Sequence, residues 1–372
     1  MKYFEKYTSN TCAGSGNQLF FCMPKGKVRV GRVFYKIFHG GEYHYSILFS
    51  NIMDSTYANG AVSHKNLICD SWNIHSAKIG KCREISSEKE LSEMTVADSA
   101  EADITVLDLK EITFDGKRER CVMPGEFFCS DPIKLSFEKN EYLCLEITFS
   151  GKMIPYHEES MLPVFVNDGE SWKYSREMPF ASMIGCDRPV KARIAYLGDS
   201  ITQGIGAPYN SYLHWNALLS EKIGENYSFW NLGIGYGRAN DAASDGAWLY
   251  KAKQNDIIFV CYGVNDIRQG EPEEQIKHDL NYIVDILKIA GKTVILQTVP
   301  PFDYNEKNRE IWKRINEYIK TELRGKVDML FDNVPCLGEK DAPYMAKFGG
   351  HPSAEGSAIW ANEFFEELKK YK

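Results

Sequence analysis

Four short stretches of this chain carry residue types that together could perform acyl transfer. An apolar run from Ile194 to Leu197 stops on Gly198-Asp199-Ser200. Such a run suits a strand buried on both faces of a parallel sheet, and open α/β sheets bind ligands at the C-terminal ends of their strands. Ser200 is therefore a candidate nucleophile on a tight turn, with a helix N-terminus close by to favour negative charge. In Asn231-Leu-Gly-Ile-Gly-Tyr-Gly-Arg-Ala-Asn240, the glycines Gly233, Gly235 and Gly237 let backbone N–H groups approach a ligand. Gly263-Val-Asn265-Asp266 brings a side-chain amide to the same rim, and Phe348-Gly-Gly-His351-Pro-Ser353 delivers an imidazole just before the last helix. Nucleophile, base and two kinds of oxyanion donor are the parts needed to attack an ester carbonyl. Singly, each stretch has an ordinary reading as a capped loop, a turn, a helix cap or a packed imidazole.

These residues need elements to carry them. From residue 190 onward the pattern alternates, with strands at 193–197, 227–232, 256–262, 292–298 and 328–331. Helices are expected at 211–223, 239–253, 272–290 and 305–323, and a final amphipathic helix at 353–370, with Ser353 as its N-cap. Five such units imply a parallel sheet with helices on both faces, so that the strand-end loops converge on one crevice.

Residues before 190 show strand periodicity instead. Strands at 28–38 and 43–50 flank the turn His39-Gly-Gly-Glu42, and a hairpin is expected at 111–122 about Asp115-Gly116, a favoured type I′ pair. A further strand pair is expected at 133–137 and 142–149, where Leu143, Leu145, Ile147 and Phe149 alternate with Cys144, Glu146 and Thr148, giving one buried and one wet face. Many short strands between Gly, Pro and Asn/Asp turns predict an all-β antiparallel sandwich or jelly roll. The acidic stretch 86–103 reads as a long loop or short helix. Two domains, 1–188 and 189–372, follow, and 372 residues are long for one core.

Composition removes several classes. A net charge of −7 argues against a nucleic-acid partner. No apolar run approaches the roughly 18 residues of a membrane span. The N-terminus carries Glu5 where a secretion signal would have its apolar core, so a cytoplasmic protein away from membranes is expected. The ten Cys contain no Cys-x-x-Cys pair and read as small buried residues, and His39, His44, His64, His75 and His157 lack ligand-like spacing, so no metal is expected. Trp72, Tyr156, Trp172 and Tyr174 are candidates for stacking on sugars, although strands favour aromatics for packing alone.

In this order and spacing the four stretches resemble the SGNH hydrolases, the GDSL esterase/lipase family, over residues 190–372. The resemblance implies a flavodoxin-like three-layer α/β/α domain with sheet order 2-1-3-4-5 and neither metal nor organic cofactor. It makes Ser200 the nucleophile and His351 the base, with an oxyanion hole built from the Ser200 N–H, a glycine-block N–H and the Asn265 amide. The glycine block carries one residue more than the usual pattern, so Gly237 and Gly235 compete; Gly237 is favoured because a helix starts directly after it. The family usually places an Asp three residues before the His to hold its tautomer, and that position is Phe348. Asp341 and Asp332 are the candidates for a third member; a backbone carbonyl would give a Ser-His dyad, and a crevice that binds without turnover is the pseudoenzyme alternative. A β-sandwich before such a domain is similar to two-domain carbohydrate esterases. That implies a short-chain, O-acetyl ester on a small molecule or oligosaccharide, with lipase, thioesterase and homo-oligomer left open.

Overall fold

The structure, a computed structural model, describes residues 2–58, 61–82, 107–337 and 346–371. The chain divides into two compact units, Met1–Pro189 and Val190–Lys372. The acidic stretch expected at 86–103 lies outside the described residues.

The first unit is rich in strands, and all of their pairings are antiparallel. One sheet runs Thr8–Ser9, Met183–Cys186, Gly41–Ser50, Phe127–Cys129, with Ile133–Phe137 also on Gly41–Ser50. The other runs Trp172–Tyr174, Val164–Asn167, Arg29–Lys36, Tyr142–Gly151, Trp72–Cys82, Leu107–Ile112, with Arg120–Val122 also on Trp72–Cys82. Trp72 of the second sheet meets Phe128 of the first at 6.3 Å, and Phe128 stacks on Phe49 at 5.0 Å.

Strand positions follow the hydrophobic alternation, but several partners do not follow sequence adjacency. Gly41–Ser50 does not return along Arg29–Lys36, and Ile133–Phe137 pairs with Gly41–Ser50 while Tyr142–Gly151 pairs with Arg29–Lys36 and Trp72–Cys82. The expected 111–122 hairpin keeps only its turn: Phe114 and Lys117 exchange both backbone bonds across Asp115 and Gly116, whose φ values of 52° and 74° suit type I′. The strands on either side then pair with Trp72–Cys82. Nor does Tyr142–Gly151 keep a wet face. Cys144 is buried among Phe34, Tyr142 and Phe165, and Glu146 is held by Arg32 at 2.8 Å and Lys78 at 3.1 Å.

The second unit is built on five parallel strands in the order Tyr227–Asn231, Ala192–Gly198, Ile257–Cys261, Thr293–Gln297, Met329–Phe331. Their central residues are buried, as continuous apolar runs such as Ile258, Phe259 and Val260 require. Helices fill the connections, with two differences from the expected spans. The 211–223 helix starts only at Trp215, after Asn210 and Tyr212 take positive φ. The 239–253 helix breaks into Ala239–Ala242 and Ala247–Ala252 at Asp245, φ 50°. The last helix, Ala354–Lys370, is anchored by Trp360 stacked on Trp215 at 4.9 Å and by Phe364 stacked on Phe331 at 4.0 Å. That anchoring fixes the segment immediately before it, which carries His351. No helix among the described residues is long and apolar enough to cross a membrane.

Candidate active site

Ser200 opens a one-turn helix, Ser200–Gln203, at the C-terminal end of the strand Ala192–Gly198. Asp199 is its N-cap, its carboxylate accepting from the Ile201 N–H at 3.0 Å. Gly198 is required by close approach, since a Cβ there would sit 2.1 Å from the Thr202 hydroxyl and 2.7 Å from the Cys261 carbonyl oxygen. At the far end of the turn, the Thr202 carbonyl accepts from the amides of Asn216 at 2.6 Å and Asn231 at 3.0 Å. Ser200 therefore stands on a turn held at both ends. Its own N–H, at the first helical position, has no intrahelical acceptor.

His351 arrives from the opposite end of the unit and stands 2.9 Å from Ser200 Oγ through Nε2. Two loops hold it. Phe348 pairs with His351 across a two-residue turn, Gly349 and Gly350, both with positive φ. This turn lies against the segment after the strand Thr293–Gln297, where the Asp303 N–H donates to the Gly349 carbonyl at 2.8 Å and the Phe302 ring meets the imidazole edge-on at 5.2 Å. From the other side comes Gly206, whose Cβ, were there one, would be 2.5 Å from the Pro352 carbonyl oxygen. The imidazole of His214 packs on Gly204 in the same loop; burial pushes its pKa down to about 4, so this ring is neutral and structural.

Asn265 and the glycine block complete the rim. Asn265 is buried and gives one amide hydrogen to the Gly237 carbonyl at 3.0 Å, which leaves the second to point elsewhere. The two glycines weighed as oxyanion donors are otherwise engaged. The Gly237 N–H closes a turn onto the Ile234 carbonyl at 3.0 Å, and the Gly235 N–H donates to Gln203 Oε1 at 2.6 Å. Gly237 is glycine for a different reason: a Cβ would strike the Trp248 ring at 2.5 Å. The residue between them, Tyr236, takes φ 59° and carries the left-handed step of that turn.

Two buried acids lie under this rim. Burial pushes both Asp199 and Asp266 up to about 7, with the like charge of Asp266 adding to the rise at Asp199 and that of Asp241 adding to the rise at Asp266. Asp266 accepts from the N–H groups of Ala239 at 3.0 Å and Asn240 at 3.3 Å, tying the Asn265 loop to the start of the next helix. Neither acid serves as partner to His351. The Asp332 carboxylate takes the Thr298 hydroxyl at 3.0 Å and the Lys320 ammonium at 2.5 Å. Asp341 lies outside the described residues. Among the described residues no group of three His, Cys, Asp or Glu side chains is arranged to hold a metal ion. Of the four aromatics considered for sugar stacking, Trp72 is buried with its indole N–H on Asn51, and Trp172 is faced by the Arg32 guanidinium at 4.5 Å.

Sequence reasoning named Ser200 and His351, which stand 2.9 Å apart, and it missed the residues that hold them in place. Gly206 stands two residues after Gly204 in a Gly-x-Gly directly behind the nucleophile turn, a signal that was there to be used. Phe302 had none, because its role comes from a contact between distant loops.

Comparison with known proteins bears on the second unit. Residues 196–359 match the GDSL-like lipase/acylhydrolase family. An arylesterase from Vibrio mimicus is 23% identical over 188 residues, 48% of this chain and 89% of that one. Among solved structures, a member of the lipolytic protein G-D-S-L family from Veillonella parvula is 21% identical with a TM-score of 0.42, covering 48% of this chain and 98% of that one. A carbohydrate acetylesterase from Sinorhizobium meliloti is 17% identical with a TM-score of 0.38, covering 48% and 99%.

Proposed function

We propose, for a chain whose residues 196–359 match the GDSL-like lipase/acylhydrolase family, that the second unit is a serine esterase cleaving short-chain carboxylic esters, O-acetyl esters first. The observation that carries this is the 2.9 Å approach of Ser200 Oγ to His351 Nε2. A neutral His351 takes the Ser200 proton as Oγ attacks the ester carbonyl. The tetrahedral oxyanion is met by the Ser200 N–H and the remaining Asn265 amide hydrogen. His351 then gives its proton to the leaving alcohol, and a water activated by the same imidazole releases the acid from the acyl-enzyme.

The narrower reading, an acetylated sugar as substrate, is supported by the order of a strand-rich unit before the hydrolase unit. The test of the main reading is hydrolysis of 4-nitrophenyl acetate by the whole chain. Turnover should disappear in Ser200→Ala and fall by at least about 10³-fold in His351→Ala, and a serine-directed phosphonate should label Ser200 stoichiometrically. Undiminished turnover in both variants would falsify the assignment. A chain that binds acetylated oligosaccharide without turnover or labelling would be a binding module instead.

A further inference from the structure

Arg268 stands three residues after Asn265 in the helix Val264–Gln269, so the two side chains project from neighbouring positions of one short helix. Its guanidinium lies over the Phe302 ring, 4.9 Å from the centroid, and that same ring meets His351 edge-on at 5.2 Å. Arg268 is exposed and has no carboxylate partner among the described residues. Six other arginines, Arg29, Arg32, Arg118, Arg120, Arg238 and Arg314, each hold a carboxylate. Even Asp303, next to Phe302 and exposed, makes no ion pair with Arg268.

We infer that Arg268 is a specificity determinant that binds an anionic group, a carboxylate above all, on the alcohol half of the ester. The side follows from the proton path, and so rests on the esterase reading above. His351 must hand its proton to the leaving oxygen, which places the alcohol beside His351; Phe302 flanks His351, and Arg268 covers Phe302. The cation–π contact with the ring holds the guanidinium beside His351 with its N–H groups available to a carboxylate. The substrate class is then an acetylated alcohol that also carries a carboxylate, of the kind an acetylated acidic sugar provides.

The test compares 4-acetoxybenzoate with its neutral counterpart 4-acetoxybenzamide in the full chain and in Arg268→Gln and Arg268→Lys. The readout is the ratio of their kcat/KM values, which cancels any general effect on His351. Arg268→Gln should lower that ratio by about tenfold or more, chiefly through KM, with Arg268→Lys intermediate and added salt eroding the wild-type preference. A ratio unchanged within about twofold in Arg268→Gln overturns the inference. So does a selective loss on mono-4-nitrophenyl succinate, whose charge lies on the acyl half. Loss of Ser200 dependence for both acetoxy esters would instead defeat the esterase reading, so the two failures are distinguishable.

Discussion

On the proposed mechanism Asn265 has two tasks for one amide, and substitutions test this. One hydrogen fixes the Gly237 carbonyl, while the other is proposed as the side-chain donor for the oxyanion. Asn265→Ala should lower kcat on 4-nitrophenyl acetate by about 10²–10³-fold with little change in KM, the cost of one oxyanion donor. Asn265→Asp, similar in shape but lacking donors and adding negative charge, should be at least as poor. A loss confined to KM would show that Asn265 shapes the pocket rather than the transition state. At this scale the sequence was informative wherever chemistry constrains residue type: Ser200 and His351, which stand 2.9 Å apart, could be singled out because few side chains suit a nucleophile or a base. Gly235 and Gly237 competed in the sequence because either could be glycine for exposure of its N–H group or for packing; in the structure the two N–H groups bond to Gln203 and Ile234, and a Cβ at Gly237 would meet Trp248.

The elements matter for how they clamp His351. Gly350 has φ 116°, and a Cβ there would lie 2.7 Å from Phe302 Cα and 2.9 Å from the Pro301 carbonyl oxygen, backbone atoms that cannot swing aside. Gly350→Ala must therefore displace the turn carrying His351. A displacement near 1 Å should reduce kcat by about 10²-fold while the unit stays folded. Gly224→Ala is the control: φ is 94° but a Cβ would open on empty space, so strain there should lower Tm and leave kcat unchanged. Equal effects of the two on kcat would dismiss the clamp. The alternation of strands and helices after residue 190 was readable because parallel strands make continuous apolar runs and their helices a 3.6-residue period. In the first unit, alternation located strands such as Ile133–Phe137 and Tyr142–Gly151, yet it could not reveal that consecutive strands enter different sheets. Period-two patterning records which face is buried and carries no information about which partner covers the edge.

At the scale of the molecule, the two units have separate cores, and the buried acids belong to the second. Asp199 and Asp266 titrate near 4 when unfolded, and burial lifts both to about 7 in the fold. Between these values the unfolded chain has released protons that the folded chain still holds. The stability these carboxyls contribute in their neutral form is therefore complete below about pH 4 and lost as pH rises through about 7. Carboxylates held below their usual range, such as Asp328 beside Lys288 and Glu273 beside Lys277, work in the opposite sense at lower pH, so the useful quantity is a difference between variants. Asp266→Asn keeps an acceptor for the Ala239 and Asn240 N–H groups and removes the ionisation. Denaturant midpoints followed by tryptophan fluorescence should show wild type losing stability relative to this variant from pH 5 to pH 8. Trp215, Trp230, Trp248, Trp312 and Trp360 all lie in the second unit, against Trp72 and Trp172 in the first, so the signal reports mainly the unit concerned. Parallel pH profiles for wild type and variant would mean that Asp266 is already ionised across this range, with Arg238 and the two backbone donors outweighing its burial.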